Sequence, residues 1–412
     1  MRAFALIAAQ KTFFKGGPAQ WKKTVTLAQK YKDYMIALRR EFHQNPEASG
    51  EEYNTSRRVA EELKVMGLSP NIVCKTGVAV DIEGTGTGKG KTVALRADMD
   101  ALSVQEINDV PYKSKVDGLM HACGHDGHTA SLLGAARILS ECRDQFSGVV
   151  RLLFQPAEEI AVGAPAMIEA GLLDGVDGTL GIHLWSGVKS GTISVEAGPR
   201  MAAANIFKYK IIGKPGHGAL PHEGIDAGLA ASAIVLNLQS LVSREFTALA
   251  PLVITVGRIE SGTRWNVIAS EATIEGTVRC FDPDIFRQVP DVMWRVIRDT
   301  AAAYRCEAEA VDVRAITLPC VNPEATSQFA ADVAKKLFGE QAVALFPLQM
   351  GGEDYSFMME KVPDSLIAFV GIGNPEKGSD VPHHAGNFQI DEDALPMSAA
   401  FYAQYAMDFL NR

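Results

Sequence analysis

Several features that mark particular protein classes are scarce in this 412-residue sequence. Its six cysteines are few and scattered, which argues against a disulfide framework and makes a reducing cytoplasm the expected location. No apolar run reaches the roughly 18 residues that a membrane span needs. Acidic side chains outnumber basic ones by 49 to 40, and a net charge of -9 does not attract phosphate backbones. We therefore expect neither a membrane nor a nucleic acid as a partner.

The N-terminal segment lacks the features of a secretory signal. Residues 1–9 hold one basic residue and a short apolar stretch, without a long apolar region or a clear cleavage site. We interpret residues 1–30 as a loose extension, and a cleaved signal is the alternative. The chain as a whole is long enough for two domains of ordinary size, and 47% hydrophobic with 22% charged residues is typical of soluble globular proteins.

The first half of the chain predicts alternating helices and strands. Residues 24–67 have apolar positions at helical spacing and end at Gly67, a typical residue just after a helix. A second helix is predicted at 129–140, and strands are predicted at 71–83, 91–99, 149–154 and 178–184. This alternation predicts an α/β sheet, in which chemistry gathers at the carboxyl ends of the strands.

A glycine-rich stretch at 84–90 lies between two of these strands. It predicts a hairpin and not a phosphate loop, because Thr85 stands where the phosphate-loop motif needs glycine. The stretch also joins two strands, whereas a phosphate loop joins a strand to a helix.

From about residue 200 the pattern changes to strand, helix, two strands, helix and strand. That order is typical of a ferredoxin-like unit. The strands are predicted at 205–212, 252–260, 271–280 and 308–315, and the helices at 226–244 and 283–304. We therefore expect an α/β domain formed by residues 1–199 and 318–412, interrupted by an inserted α+β domain at 200–317.

A cysteine lies among three histidines within eight residues, at 121–128. Thiolate and imidazole are preferred ligands of zinc and similar ions. Cys123 and His125 are separated by Gly124, which lets the backbone bend so that both side chains reach one centre. A redox cysteine beside a histidine would show the same pattern, so this cluster alone leaves both interpretations open.

An acidic pair, Glu158 and Glu159, follows the apolar strand at 149–154. Adjacent residues in an extended loop point in opposite directions, so one carboxylate can bind a metal while the other stays available as a base. A solvated acidic pair at a helix start is the alternative, and the pair taken alone favours it. His183 is predicted near the end of another strand.

Several motifs occur in the order of a known family. They are RREFHQNPE at 39–47, LRADMDAL at 95–102, the cluster at 120–128, the segment 154–159, Gly216-His217 and Gly352-Glu353-Asp354. From about residue 33 the sequence resembles the aminoacylase and glutamate-carboxypeptidase metallopeptidase family. It is most similar to the branch of hippurate hydrolases, N-acyl-amino-acid amidohydrolases and indoleacetyl-amino-acid hydrolases.

Two positions depart from the wider family's pattern. Arg96 stands two residues before Asp98, where the wider family has a histidine ligand, and this substitution is typical of the cysteine-containing branch. Ala269 stands where proline is common, which affects only the expected detail of a loop.

The resemblance implies a site for two divalent metal ions. Cys123 would bridge the ions, with His125 and His183 on one of them and Glu159 and His384 on the other. His384 is preferred over His383 because the family's ligand lies four residues before an aromatic residue, here at 388. Zinc or manganese is expected, and cobalt or nickel is compatible with the same ligands.

The resemblance also implies roles outside the ligand set. Glu158 would be the general base. The inserted domain would form a homodimer or tetramer, in which His217 reaches the partner's site to stabilise the oxyanion. Asn266 and Arg279 are candidates for binding the substrate.

Other polar residues have supporting roles or none. Asp98 and His128 would support the ligands from behind. Glu353 and Asp354 would either line the site or cap a helix. His121 and His222 receive no role.

The expected activity is hydrolysis of N-acyl amino acids to a carboxylic acid and an amino acid. The alternatives are a metallocarboxypeptidase or dipeptidase, a non-catalytic ligand-binding dimer on the same fold, and an amidase with Cys123 as nucleophile.

Overall fold

The computed structural model describes residues 18–88 and 90–412. The chain divides into two compact units. Among the described residues, the first consists of those up to Gly198 together with Asn322–Pro347 and Phe357–Arg412, and the second of Pro199–Val321 and Leu348–Ser356. The second unit thus takes in Leu348–Ser356, which the sequence analysis assigned to the catalytic domain. In this segment Gln349 exchanges backbone hydrogen bonds with Arg200 and Ala202.

The described residues form ten α-helices and fifteen strands. The helices are α1 (Pro18–Lys30), α2 (Lys32–Gln44), α3 (Tyr53–Val65), α4 (His125–Glu141), α5 (Gly163–Glu169), α6 (Ala227–Ser240), α7 (Pro283–Ala303), α8 (Glu324–Phe338), α9 (Tyr355–Lys361) and α10 (Ala394–Leu410). The strands are β1 (Asn71–Val73), β2 (Gly77–Glu83), β3 (Lys91–Asp98), β4 (Gly148–Gln155), β5 (Gly178–Lys189), β6 (Ile193–Ser194), β7 (Gly198–Met201), β8 (Ala203–Ile212), β9 (Gly216–His217), β10 (Leu252–Ser261), β11 (Val267–Ile268), β12 (Glu271–Cys280), β13 (Glu307–Thr317), β14 (Cys320–Asn322) and β15 (Ser365–Gly373).

The first unit is built on a seven-stranded mixed sheet in the order β1-β2-β4-β3-β5-β15-β6. Strands β4, β3, β5 and β15 are parallel, while β1, β2 and β6 pair in antiparallel fashion. The central strands are buried on both faces, which explains why they appear in the sequence as continuous apolar runs. Strand β15 comes from the C-terminal part of the chain and completes the sheet beside β5. The predicted α/β class with a mixed sheet is confirmed.

Helix α4 lies against the sheet and positions the site. It packs between α2 and α10, and nearly all its side chains are buried. The prediction that this helix begins at residue 129 is wrong by four residues, because it begins at His125. His125 and His128 therefore lie on the first turn of a buried helix and not in a preceding loop.

Two N-terminal predictions are also corrected. The continuous helix at 24–67 is interrupted at 45–52, because Pro46 disfavours a helical conformation at the residue before it. The loose extension at 1–30 is wrong for residues 18–30, which form α1. There Leu27 and Ala28 are buried, and Thr24 donates a 2.7 Å hydrogen bond to Gln404. Residues 1–17 of that prediction lie outside the described residues.

The second unit contains a four-stranded antiparallel sheet in the order β10-β12-β8-β13. Helices α6 and α7 pack against it around a separate apolar core. Asp226 and Asp282 cap these helices by accepting two backbone N–H groups each. The predicted order of strand, helix, two strands, helix and strand is found, although the helix predicted to 244 ends at Ser240 and continues as a π-helical turn. None of the helices within 18–88 and 90–412 is long and apolar enough to cross a membrane.

Candidate metal centre

Four chain segments of the first unit converge at the predicted site. Cys123 and Gly124 directly precede α4, whose first residue is His125. Gly124 has a φ of 92°, a conformation that is unfavourable for residues with a side chain, and it reverses the chain between the two candidate ligands. The acidic pair follows β4, His384 lies in the loop before α10, and His183 lies on β5. Strand β5 extends to Lys189, so His183 is inside the strand and not near its end as predicted.

Of the groups of candidate donor atoms in the described residues, two share the Cys123 thiol. Cys123, His125 and His183 form one group, and Cys123, Glu159 and His384 form the other. Within each group the donor atoms lie within 4.8 Å of one another. This division is the one that the resemblance implied. We call His125 and His183 the helix–strand half and Glu159 and His384 the loop half. Cys123 is shared by both halves.

Hydrogen bonds orient the imidazoles of the helix–strand half. His183 donates from Nδ1 to the Leu184 carbonyl at 2.8 Å, which leaves the lone pair of Nε2 directed to Cys123 Sγ at 3.6 Å. His125 Nδ1 lies 3.3 Å from Asp100 Oδ1, so the other ring nitrogen, Nε2, is the one that faces the remaining candidate ligands. A carboxylate or carbonyl behind a histidine is the usual arrangement that holds a metal ligand.

The donor set fits divalent cations. His125 Nε2 and Glu159 Oε1 are buried and have no hydrogen-bond partner within the described part of the chain, although they lie 3.9 Å apart. Buried polar atoms are rarely left in this state, and cations bound at the two donor groups would satisfy both atoms. Carboxylates also surround these donor atoms. Burial, assisted by Asp100 and Asp98, raises the pKa of Glu159 to about 7, and burial and Glu159 raise the pKa of the Cys123 thiol well above its usual value.

Asp98 and His128 lie behind the donor atoms. His128 Nδ1 is 2.5 Å from Asp98 Oδ1, and its Nε2 accepts the Leu184 N–H at 2.8 Å. Both ring nitrogens of His128 are therefore engaged within the protein, and the ring fixes the backbone beside His183. Arg96 forms a 2.7 Å ion pair with the other oxygen of Asp98.

Asp100 is a central residue that the sequence analysis did not single out. Its carboxylate accepts hydrogen bonds from the backbone N–H groups of Glu158 and Glu159 at 3.1 and 3.0 Å. It also accepts one from the Ser49 hydroxyl at 2.6 Å, and it faces His125. It therefore links both halves of the donor set. The sequence feature that could have identified Asp100 is its spacing from Asp98. The two residues lie two positions apart at the end of a strand and so point to the same side.

The two adjacent histidines have different surroundings. His384 adopts a φ of 65°, and its N–H donates to the Ala122 carbonyl at 2.8 Å, so that Nε2 lies 3.6 Å from Glu159. His383 is buried against Trp185, with ring centroids 4.5 Å apart, and accepts the Ser186 N–H. Burial lowers the pKa of His383 to about 3. The geometry places His384, and not His383, among the donor atoms.

The remaining predicted residues lie in the second unit. His217 and Asn266 are neighbours, because β9 pairs with β11 and the Gly218 N–H donates to the Asn266 carbonyl at 2.9 Å. The exposed His217 accepts the Ala219 N–H at Nδ1, so a neutral ring carries its proton on Nε2. Arg279 is half-buried near the end of β12.

The other polar residues that the sequence analysis named include Glu353, His222 and His121. Glu353 is buried and accepts the N–H of Tyr355, the first residue of α9, at 3.0 Å. His222 lies in an exposed turn, and His121 is fully buried in the first unit.

Comparison with known proteins identifies the family. The chain matches the model of peptidase family M20/M25/M40 over residues 94–408. It is 41% identical over 385 residues to thermostable carboxypeptidase 2 of Saccharolobus solfataricus, covering 92% of this chain and 96% of that protein. It is also 41% identical over 395 residues to IAA-amino acid hydrolase ILR1-like 4 of Arabidopsis thaliana, covering 94% and 89%.

A solved structure agrees with this assignment. The YXEP protein of Bacillus subtilis, described as a dinuclear metal binding peptidase from the M20 family, has a TM-score of 0.81 and 34% identity to this chain. The similarity covers 93% of this chain and 99% of that one. The resemblance drawn from the sequence motifs is thus confirmed, and the chain belongs to peptidase family M20/M25/M40 as a hydrolase.

Proposed function

We propose that this protein hydrolyses the amide bond of N-acyl amino acids, releasing a carboxylic acid and an amino acid, with two divalent ions held by Cys123, His125, Glu159, His183 and His384. The observation that carries the proposal is the pair of donor groups joined at Cys123. Relatives named for the hydrolysis of indoleacetyl and other N-acyl amino acids support this substrate class.

Amide hydrolysis is slow because the carbonyl is a poor electrophile and water a poor nucleophile. Two divalent ions, when bound, would polarise the carbonyl and lower the pKa of a water molecule from 15.7 to about 7. Cys123, His125 and His183 would hold the ions through buried donor atoms, and the contacts of Asp100 and Leu184 keep His125, Glu159 and His183 directed inward.

Glu158 is the proposed general base. Its backbone N–H is fixed by Asp100 at 3.1 Å, next to the N–H of Glu159, and a carboxylate oxygen of Glu158 lies within 4.8 Å of donor atoms of His125 and Glu159. From this position the Glu158 carboxylate would take a proton from the attacking water and return it to the leaving amine nitrogen.

His217 is the proposed oxyanion donor, supplied to the site of a partner subunit. Its Nε2–H is the outward-facing donor, because Nδ1 is occupied by the Ala219 N–H. Strand β10 supports a homodimer or tetramer through the second unit, since it is an edge strand with Val253 and Ile259 about half exposed. Asn266 and Arg279 are proposed to contact the substrate. We also propose zinc or manganese as the native ion and the cytoplasm as the location.

The first test is a panel of acetyl, benzoyl and indoleacetyl amino acids, assayed on chelator-treated protein reloaded with each metal. We expect activity to disappear on chelation and to return with metal. Glu158→Gln should keep both ions and lose about 10²–10⁴-fold in kcat. Full activity in that variant would contradict the role of Glu158, and activity that survives complete chelation would favour Cys123 as a nucleophile.

A metallocarboxypeptidase acting on short peptides is the second candidate, because a relative with 41% identity is named a carboxypeptidase. Including N-blocked dipeptides in the panel separates the two. Metal-loaded protein that cleaves none of these compounds would favour a ligand-binding protein.

A further inference from the structure

A buried polar cluster of the first unit takes no direct part in the proposed chemistry. His43 on α2 faces two carboxylates, with Nδ1 at 2.7 Å from Asp126 Oδ2 and Nε2 at 3.2 Å from Glu106 Oε1. Arg39 forms a 2.8 Å ion pair with the same oxygen of Asp126. All four side chains are almost fully buried, and Asp126 directly follows His125 on α4. The cluster therefore fixes the helix end that carries a proposed ligand.

The same cluster continues to the loop that carries His384. Asn108 donates through Nδ2 to Glu106 Oε1 at 3.0 Å and to the Phe388 carbonyl at 3.1 Å. Beside it, the Ile107 N–H donates to the Gly386 carbonyl at 2.9 Å. A side chain at Gly386 has no room here, because a Cβ atom would lie 2.5 Å from a backbone oxygen of residue 105. Residues 105–108 thus lie directly against the loop 384–388.

We propose that Glu106 and Asn108 are positioning residues that join the start of α4 to the loop 384–388 and so hold the helix–strand and loop halves of the metal centre at a fixed separation. This inference rests on the proposed metal-dependent function. One connected path of contacts supports it, running from Asp126 through His43, Glu106 and Asn108 to Phe388.

The loop half has the greater need of such a connection. His384 is held by one backbone hydrogen bond to Ala122 and adopts a φ of 65° that few residues other than glycine favour. His183, in contrast, lies within a strand whose ladder fixes its backbone. Loss of the Asn108 side chain should therefore displace His384 more than His183.

The test is a stepwise Mn2+ titration of chelator-treated Asn108→Ala by calorimetry. We expect the dissociation constant of one ion to rise about tenfold. The dissociation constant of the other ion should stay within about twofold of its value in the unchanged protein. Glu106→Gln is a milder second variant, because it keeps the volume and one of the two oxygens that accept from Asn108 and from the Ser114 N–H, and it removes the charge that faces His43. It should weaken the same ion by a smaller factor, and it keeps the test open if Asn108→Ala does not fold.

Matched controls separate positioning from general destabilisation. Asn322 is a buried asparagine of the same unit that also bonds to backbone groups, those of Glu196 and Ile367. Glu62 is a buried carboxylate that accepts from Tyr34, Arg58 and Arg137. Asn322→Ala and Glu62→Gln should lower the thermal unfolding temperature of the metal-free protein without changing either dissociation constant.

The outcomes are distinguishable. Unchanged binding of both ions by Asn108→Ala and Glu106→Gln would overturn the inference, as would an equal loss in the control variants. If the unchanged protein takes up no Mn2+ or Zn2+, the proposed function itself is contradicted, together with the inference that rests on it.

Discussion

The two halves of the donor set are built differently. In the helix–strand half, His125 begins a buried helix and His183 lies within a central strand, so main-chain hydrogen bonds of regular structure fix both backbones. In the loop half, Glu159 and His384 lie on connecting segments, and the His384 side chain is 54% exposed. The first half is thus placed by the fold, whereas the second depends on individual side-chain contacts, those of Asp100 and Asn108 above all.

The largest expected effect comes from the atom that both halves share. Cys123→Ala removes the thiol around which the two donor groups are arranged. We expect both ions to be lost and hydrolysis to fall to background, which inductively coupled plasma mass spectrometry and the substrate panel measure together. Retention of one tightly bound ion would show that the halves are independent and that the thiol does not bridge them.

Asp100→Asn should have the next largest effect, because its carboxylate holds the N–H groups of the acidic pair and faces His125. An amide keeps the volume and loses the charge. We expect a loss of about 10–100-fold in metal affinity, measured by chelator competition, with a larger loss for the ion of the loop half. An equal loss at both ions would contradict the difference between the halves.

The pH dependence of metal binding should also differ between the two halves of the donor set. Burial, with Asp100 and Asp98 nearby, raises the pKa of Glu159 to about 7, so below that pH an incoming ion must displace a proton from this carboxyl group. The affinity of the loop half should therefore fall as the pH falls from 8 to 6, by up to about tenfold per pH unit below 7. Calorimetric titrations across this range measure the effect. The Glu159→Gln variant has no such proton and should lose this part of the dependence.

The smallest expected effect concerns the loop backbone. In Gly386→Ala a Cβ atom would lie 2.5 Å from a backbone oxygen of residue 105, so the loop that carries His384 must shift. We expect a few-fold weaker affinity for the loop-half ion alone. Gly84→Ala creates a similar backbone clash, 2.2 Å from the Phe146 oxygen, in the turn after β2, where no donor residue lies. This control should change stability but not metal affinity.

Much of the fold was predictable because central strands and amphipathic helices leave periodic patterns. Strands β3 and β4 were predicted to within one residue at either end, since apolar runs mark strands buried on both faces. The start of α4 was missed for the opposite reason. Its first turn holds His125, Asp126 and His128, polar residues that usually indicate a loop, but here they are buried and serve the site.

The candidate site was predictable as a set of residue types but not as a network. Cys123, His125, Glu159, His183 and His384 followed from the motifs and the resemblance, and the structure brings them together. Asp100 was missed because its partners lie 25, 58 and 59 residues further along the chain, and no local pattern reveals such contacts. Glu106 and Asn108 are undetectable by sequence for the same reason, since Phe388 lies 280 residues beyond Asn108.

The most direct test of the account is a crystal structure of the manganese-loaded protein with an anomalous difference map. We predict two peaks per subunit, one beside His125 and His183 and the other beside Glu159 and His384, with Cys123 Sγ in contact with both. A single peak, or two peaks that do not share the thiol, would contradict the proposed centre.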